Sequence, residues 1–140
     1  MTEDVSDSPN PWVAEHIRRF VQTGGNARPG MNDLLLTTRG RRSGKLRRTA
    51  LVYAPHGDRY IVAASHGGAD RDPAWYLNLV ADPDVIVQVG STTFPARARV
   101  APGEQRPGLW QLMVTIMPSY RNYETATARA IPVVILEPSC

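Results

Sequence analysis

The chain has 140 residues, of which 42% are hydrophobic and 21% are charged. This length and composition predict one globular domain with its own core, and they exclude a disordered or fibrous protein. The formal net charge of +3 is unevenly distributed, since six of the 16 basic side chains fall within residues 39–48. Outside that stretch the acidic side chains outnumber the basic ones, so the local positive charge indicates an anionic partner at one place.

Cysteine occurs once, as Cys140, which excludes a disulfide framework and a thiolate metal site. The start of the chain, MTEDVSDSPN, is acidic and polar and lacks the apolar stretch of a secretory signal. The longest apolar run, IPVVILEP, is too short to cross a bilayer. We therefore expect a cytoplasmic protein.

Residues 1–10 are predicted to be a disordered tail, and residues 11–140 a single domain. The domain begins with a helix over NPWVAEHIRRFVQTGG, where Asn10 is the cap, Pro11 suits the first turn and the double glycine ends the helix. Packing against the core is the common role of such a helix. The alternative is an amphipathic surface through which residues 11–22 contact a membrane peripherally.

The middle of the chain predicts strands joined by short turns. LLLTT and TALVYA flank residues 39–48, RYIVAAS follows the turn HGD, and VIVQVG forms a hairpin with FPARARV. DPAWYLNLVADPD predicts a short helix with Asp72 as its cap and Pro73 in its first turn. PGEQRPGLWQLMVTIMP and SYRNYETATA are predicted to be helical, and IPVVILEP to be a buried strand. Strands in neighbouring hairpins with helices inserted late predict an α+β domain built on an antiparallel barrel.

The sequence lacks the motifs of several enzyme classes. The histidines His16, His56 and His66 have no metal-ligand spacing, and Ser65 does not lie in a nucleophile elbow. No GxGxxG segment opens a strand–helix unit, and GRRSGK is too short between its glycines for a P-loop. Because no protein-borne metal, thiol or triad is evident, we expect the difficult chemistry to come from a cofactor.

The stretch TTRGRRSGKLRRTALVYAP carries the local charge, and we call residues 39–48 the basic turn. Arginine forks and backbone N–H groups around Gly40 and Gly44 suit a phosphate or carboxylate ligand. One alternative is a solvated hairpin tip. Another is a nucleic-acid-binding module, although the turn lacks aromatic residues for base stacking and the rest of the chain is net acidic.

Two further segments have a composition that suits ligand binding. In AASHGGADRDPAWYLNL, small residues with Gly67 and Gly68 let a flat ligand approach the backbone, and the following helix N-terminus suits anions. Trp75 suits the wall of an aromatic ligand, although a core position is more common for a tryptophan. In MPSYRNYETATARAIP, a helix would place the hydroxyls of Tyr120 and Tyr123 on one face, where they could donate hydrogen bonds to a substrate oxygen.

Together and in this order, LLLTTRGRRSGKLRRTALVY, YIVAASHGGADRDPAWYLNLVADPDVIVQV and MPSYRNYETATARAIPVVILEP resemble the deazaflavin-dependent nitroreductase family of actinobacteria. The resemblance spans residues 31–138. It implies a split β-barrel that binds the reduced deazaflavin coenzyme F420 and passes its hydride to quinones, nitro-compounds or activated alkenes. An FMN-binding oxidoreductase on the same barrel is the alternative, although FMN has no glutamate tail and would leave several cations unused. The oligomeric state is not predicted.

The resemblance also implies which residues hold the coenzyme. Arg41, Arg42, Ser43 and Arg47 would hold its phosphate and oligoglutamate tail. The ring system and its surroundings would be bordered by Thr49, Ala50, Leu51, Ala63, Ala64, Ser65, His66, Trp75, Tyr76, Asn78 and Tyr120.

The predicted catalytic residues are Ser65, Tyr120 and Tyr123, which would polarise the acceptor oxygen or supply a proton. The two tyrosines match family tyrosines that line the substrate side. Met117 stands where members with strong nitroimidazole activity often carry a third tyrosine, so we expect quinones and enones to be better acceptors. His66 stands where a lysine is frequent, which either weakens one cation beside the tail or makes it dependent on pH.

Overall fold

The hydrophobic runs of the sequence form strands in the computed structural model, which describes residues 5–26, 30–65, 72–122 and 131–139. Within these ranges the helices are α1 (Pro11–Gln22), α2 (Ala74–Ala81) and α3 (Arg106–Ile116). The strands are β1 (Val5–Asp7), β2 (Asp33–Arg39), β3 (Leu46–Val52), β4 (Ala54–His56), β5 (Arg59–Ala63), β6 (Asp84–Val89), β7 (Thr92–Val100) and β8 (Val133–Pro138).

The strands form one sheet in the order β1-β3-β2-β6-β7-β8-β5-β4. Neighbouring strands are antiparallel except β1 and β3, which run parallel. The predicted α+β class is confirmed. The stretch TALVYA does not form a single strand, because Tyr53 separates β3 from β4. As a result β3 pairs with β2, while β4 pairs with β5 at the other end of the sheet order.

Both faces of β2 are covered, which explains why LLL is a continuous apolar run instead of an alternating one. Leu34 and Leu36 pack into the central core with residues of β5, β6, β7 and β8. On the opposite face Leu35 packs against Ile17 and Phe20 of α1. Full burial of such side chains stabilises the fold by about 1.5–3 kcal/mol each.

Helix α3 covers a different part of the sheet, where it packs against β4, β5 and β8. Its buried residues Leu109, Trp110, Met113 and Val114 form one cluster with side chains of those strands. None of the helices in the described ranges is long and apolar enough to cross a membrane.

The prediction of a disordered tail over residues 1–10 is wrong for Val5–Asp7, which pair with Leu46–Arg48. The Arg48 guanidinium donates hydrogen bonds to both oxygens of Asp7, at 2.6 and 3.2 Å. Residues 9–10 then lead directly into α1, with Asn10 as its cap as predicted. The polar composition of the tail gives no sign of this strand, because the partner that stabilises it lies 41 residues away.

Two other local predictions need correction. Asp72 is not the cap of α2, since Pro73 occupies that position and makes no side-chain capping hydrogen bond. The helical segment predicted over SYRNYETATA is described only at its start, where the amides of Tyr120 and Arg121 donate to carbonyls three residues earlier. Residues 123–130 lie outside the described residues.

Candidate functional site

The basic turn is closed by its own hydrogen bonds. The amide of Gly40 donates to the carbonyl of Lys45, and the amide of Gly44 to that of Gly40, both at 2.8 Å. Gly44 has a φ of +71°, which side-chain-bearing residues rarely adopt. The Ser43 hydroxyl accepts from the Lys45 amide at 3.2 Å, and Arg39 donates to the Gly44 carbonyl at 2.7 Å. The loop that carries the cations is therefore held in one shape.

Not all six cations of the basic turn face solvent. Arg39 is bound to the turn itself, and Arg48 is paired with Asp7. The exposed cations of the turn are Arg41, Arg42, Lys45 and Arg47. Concentrated on one turn, they form a positively charged surface suited to a polyanion.

Asn78 joins the basic turn to α2. Its side chain is buried, with a relative exposure of 5%. Its Oδ1 accepts a hydrogen bond from the Arg41 amide at 3.1 Å, and its Nδ2 donates to the Thr38 hydroxyl at 3.2 Å. Because an amide supplies both an acceptor and a donor, this position suits asparagine better than aspartate or leucine. Two segments that the sequence analysis singled out separately are thereby in direct contact.

Strands β3 and β5 are not paired with each other in the described residues. In the β4·β5 ladder Ala54 is opposite Ile61, and the same register would bring Ala50 level with Ser65. No ladder in the described residues continues this register to Ala50 and Ser65. The edge of β3 that faces away from β2 pairs only with β1, and only at Leu46–Arg48. The edge of Thr49–Val52 that faces away from β2 therefore has no strand partner within the described ranges. We call the space between this edge and residues 62–65 the strand gap.

Backbone groups along such an edge require a hydrogen-bond partner, which can be water or a ligand. The residues on the β5 side of the gap are small: Ala63 and Ala64 are buried, and Ser65 is 9% exposed. Small side chains let a flat molecule approach the main chain closely. The strand gap therefore has the form expected for a planar ligand.

Aromatic and aliphatic side chains lie next to the gap, in the central core. Leu51, Trp75 and Tyr76 are half-buried and pack against that core. The rings of Trp75 and Tyr76 meet edge to face, with centroids 6.4 Å apart. Burial, followed by the nearby Asp72 carboxylate, raises the pKa of Tyr76. Its phenol therefore remains a neutral hydrogen-bond donor at physiological pH.

The side chain of Ala50 points away from these residues. It packs against the cluster of Ile17, Phe20 and Leu35 under α1. Neighbouring residues of a strand face opposite sides of the sheet, so Thr49 and Leu51 share the other face. Only the backbone of Ala50 can border a ligand in the gap.

Tyr120 is buried, with a relative exposure of 5%, and its ring lies 5.7 Å from that of Trp110. It shares the α3 cluster with Ala63, which also borders the strand gap, and with the half-buried Met117. The remaining predicted residues, His66 and Tyr123, lie outside the described residues.

Sequence reasoning missed several features of the site. It did not identify Thr38, which accepts a hydrogen bond from Asn78, or Asp7, which forms an ion pair with Arg48. The basic turn is the signal that could have prompted a search for such partners. It also missed a groove of about 450 Å³ that none of the predicted site residues lines. That groove is formed by His56, Arg59, Gln105, Gly108, Leu109, Leu112 and Ile135.

A family model described as F420H2-dependent quinone reductase matches residues 12–138. The chain belongs to the F420H2-dependent quinone reductase family. An F420H2-dependent quinone reductase of Mycobacterium tuberculosis is 42% identical to it over an alignment of 141 residues, covering 89% of this chain and 95% of that protein. A solved F420H2-dependent reductase is 41% identical, with a TM-score of 0.70, and the match covers 76% of this chain and 94% of that one.

A further solved structure, described as a domain-swapped dimer, is 40% identical with a TM-score of 0.73 and covers 93% of this chain and 100% of that one. The structural relatives have the split-barrel-like fold of FMN-binding proteins. Membership of the F420H2-dependent quinone reductase family confirms the predicted oxidoreductase class and coenzyme F420 as the cofactor. The comparisons give no support to the FMN-dependent or nucleic-acid-binding alternatives.

The described residues fit this coenzyme. A deazaflavin ring is planar, and the strand gap offers a backbone edge that has no strand partner among the described residues, with the small residues Ala63, Ala64 and Ser65 on its β5 side. The tail is a polyanion, and the exposed cations of the basic turn lie on the loop before the same strand and, for Arg47, at the start of that strand. The contact between Arg41 and Asn78 links the two parts.

Proposed function

We propose that this chain holds reduced F420 in the strand gap and transfers its hydride to a quinone, with nitro-compounds and activated alkenes as further acceptors. One observation carries the proposal: Thr49–Val52 directly follow the basic turn on β3, and within the described residues their edge that faces away from β2 has no strand partner. A single strand thereby supports both a slot for the ring and a charged surface for the tail.

In this proposal Arg41, Arg42, Ser43 and Arg47 hold the phosphate and the oligoglutamate tail. Arginine forks bind such oxygens through paired hydrogen bonds, and charge-assisted bonds are worth about 1.5–3 kcal/mol each. The turn's own hydrogen bonds reduce the entropy lost when the tail is bound. Asn78 keeps the Arg41 backbone in place beside α2.

The ring is held by the backbone of residues 49–51 and by residues 63–65, with Trp75 and Tyr76 nearby. We also assign His66 to this side of the ring. Bound reduced F420 supplies the hydride. The chain excludes water from one ring face and holds the acceptor within reach of the other.

Ser65 is the best-placed candidate to donate a hydrogen bond to the acceptor oxygen, since it lies where β5 meets the gap. Tyr120 and Tyr123 are assigned to the substrate side. The burial of Tyr120 against Trp110 supports a fixed orientation of its phenol. Met117, packed against the same cluster, makes this wall more apolar and favours quinones over bicyclic nitroimidazoles.

We further propose that the sheet closes into a split barrel. Strand β4 is at one end of the sheet order and β3 is next to β1 at the other end, yet Tyr53 alone separates β3 from β4 along the chain. A barrel that opens between β3 and β5 would place the strand gap at the split. Peripheral membrane contact through residues 11–22 stays a prediction; Trp12, 85% exposed, is the side chain that would mediate it.

The cofactor assignment is tested by titrating the purified protein with F420, FMN and FAD. We expect micromolar affinity for F420 and negligible affinity for FMN, because FMN lacks the tail that the basic turn would hold. Turnover is then measured with a quinone and a nitroarene. A protein that purifies with stoichiometric FMN would refute the proposal.

The substrate side is tested with Tyr120→Phe, Tyr123→Phe and Met117→Tyr. We expect each Phe variant to lose about two- to twelvefold in turnover with a quinone, the value of one neutral hydrogen bond, while F420 affinity stays unchanged. Met117→Tyr should improve nitroimidazole reduction. Wild-type kinetics in both Phe variants would show that the tyrosines are structural.

A further inference from the structure

Arg106, at the start of α3, makes two contacts that the proposed mechanism does not use. Its guanidinium donates two hydrogen bonds to the carbonyl of Ile131, from Nε at 3.0 Å and from Nη2 at 2.8 Å. It also lies over the ring of Trp110, with its central carbon 5.2 Å from the ring centroid. The planar guanidinium is therefore held between a carbonyl and an indole.

Trp110 extends this arrangement to Tyr120. The indole is 7% exposed, and its ring centroid lies 5.7 Å from that of Tyr120, with an angle of 51° between the planes. Ile131 is also buried, with a relative exposure of 1%. Arg106 and Trp110 are one helical turn apart on α3, and Arg106 contacts Ile131 while Trp110 contacts Tyr120. Tyr120 and Ile131 flank the segment of the sequence that carries Tyr123.

We infer that Arg106 and Trp110 are positioning residues that set the geometry of the acceptor side of the site. This inference rests on the proposed function, in which Tyr120 and Tyr123 line that side. Ile131 leads directly into β8, so its carbonyl is a fixed point on the sheet. Tyr120 and Ile131 are thereby held to the same turn of α3.

Arginine is suited to this position in a way that lysine is not. Its planar fork reaches one carbonyl with two N–H groups and stacks on an aromatic ring at the same time. Lysine can supply the charge and one hydrogen bond but cannot stack as a plane. A graded response to Arg106→Lys and Arg106→Met therefore separates the geometry of the contact from its charge.

The test compares Arg106→Met, Arg106→Lys and Trp110→Phe with Arg97→Met, a matched control on β7 whose side chain is 67% exposed. Steady-state constants for a quinone and the F420 dissociation constant are measured well below each melting temperature. Hydrogen exchange is measured at the amides of residues 120–122. This last readout requires neither coenzyme nor turnover.

We expect Arg106→Met to lower kcat/KM for the quinone by about tenfold, since a misplacement of about 1 Å can cost up to a hundredfold. F420 affinity should change less than twofold, and exchange at residues 120–122 should accelerate. Arg106→Lys and Trp110→Phe should be intermediate, and Arg97→Met should match wild type in every measurement.

A lower melting temperature with unchanged kinetics overturns the inference, whether or not exchange accelerates, because Arg106 would then only stabilise the fold. A tenfold loss of F420 affinity also overturns it. If the wild-type protein reduces no quinone, the proposed function fails independently of this inference. Hydrogen exchange at residues 120–122 then decides by itself whether Arg106 and Trp110 are positioning residues. Acceleration confined to residues 120–122 then supports the positioning role, and its absence overturns that role.

Discussion

Asn78 is one of five buried polar side chains in the described residues, with Asp33, Thr37, Thr38 and Ser65. Burial of a polar group is unfavourable unless a hydrogen bond compensates for the lost water. Three of the five, Thr38, Ser65 and Asn78, lie at the basic turn or at the strand gap. The polar groups retained inside this protein are therefore concentrated at the candidate site.

Asn78→Ala should weaken F420 binding and destabilise the fold. It removes the acceptor for the Arg41 amide and leaves the Thr38 hydroxyl without that partner, and an unsatisfied buried group costs about 1–3 kcal/mol. We expect a loss of stability in this range by urea denaturation and about a tenfold loss of F420 affinity, equivalent to about 1.4 kcal/mol. The control is Gln111→Ala on the exposed side of α3, and unchanged F420 affinity in Asn78→Ala would contradict the bridging role.

Tyr76 leads to a prediction about pH, because burial, followed by the Asp72 carboxylate, raises the pKa of its phenol above the ordinary value of 10.0. In the unfolded chain the phenol ionises near pH 10.0, whereas in the folded chain it ionises later. The neutral phenol therefore contributes fully to stability below pH 10.0, the pKa in the unfolded chain, and this contribution is lost as the pH rises through the higher pKa of the folded chain. Phenolate absorbance of wild type and Tyr76→Phe should show that the variant lacks one late-titrating tyrosine, and a phenol that titrates at its ordinary pKa would contradict this.

At the scale of elements, β1 and β5 border the strand gap in which we propose that the ring binds. Strand β1 pairs with only part of the β3 edge, and Pro9 follows closely behind it, so the ladder stops at Arg48. Proline has no amide hydrogen to continue a ladder. The β4·β5 ladder ends at the pair Ala54 and Ile61, so it does not include Thr49–Val52 or residues 62–65. Between these two ladder ends Thr49–Val52 have no strand partner on this edge among the described residues, and they form one side of the strand gap.

Asp7→Asn tests the role of β1 beside the basic turn. The Asp7–Arg48 pair is partly exposed, so we expect the loss of stability to be under about 1 kcal/mol. Loss of the carboxylate should leave the turn more positive and hold or slightly increase F420 affinity. Thermal denaturation and F420 titration measure both effects, with Asp84→Asn as the control for an exposed pair on β6. A marked loss of F420 affinity would show that β1 itself contributes to the coenzyme site.

At the scale of the molecule, charge and topology act together. The positive charge is concentrated on one turn, and the sheet brings that turn beside α2 and the strand gap. The remainder of the chain is net acidic. Electrostatic attraction should therefore guide an anionic ligand to one end of the protein, and it should weaken as salt screens the charges.

Arg41→Ala combined with Arg47→Ala should raise the F420 dissociation constant at least tenfold, about 1.4 kcal/mol. Affinity of the wild-type protein should fall with rising salt, and that dependence should be shallower in the double variant. Arg18→Ala with Arg19→Ala on α1 removes the same charge elsewhere and should leave affinity within twofold. Equal affinities and salt dependences in both double variants would show that the basic turn does not hold the tail.

The sequence alone determined the class of fold, most element positions and the family. Local signals are sufficient for these properties: Pro11 and the double glycine delimit α1, alternation marks β7, and the charge of the basic turn indicates an anionic ligand. Resemblance of three segments then identified the coenzyme, and family membership confirmed it.

Only the tertiary structure decided which residues act together. The pairing of Asp7 with Arg48, and of Arg41 with Asn78, joins positions 41 and 37 residues apart. No local pattern encodes such contacts, because each depends on how distant strands and helices pack. No local pattern encodes the orientation of the Ala50 side chain toward α1 either, or the two hydrogen bonds from Arg106 to the Ile131 carbonyl. These choices follow from strand register and side-chain alternation, which exist only once the sheet has formed.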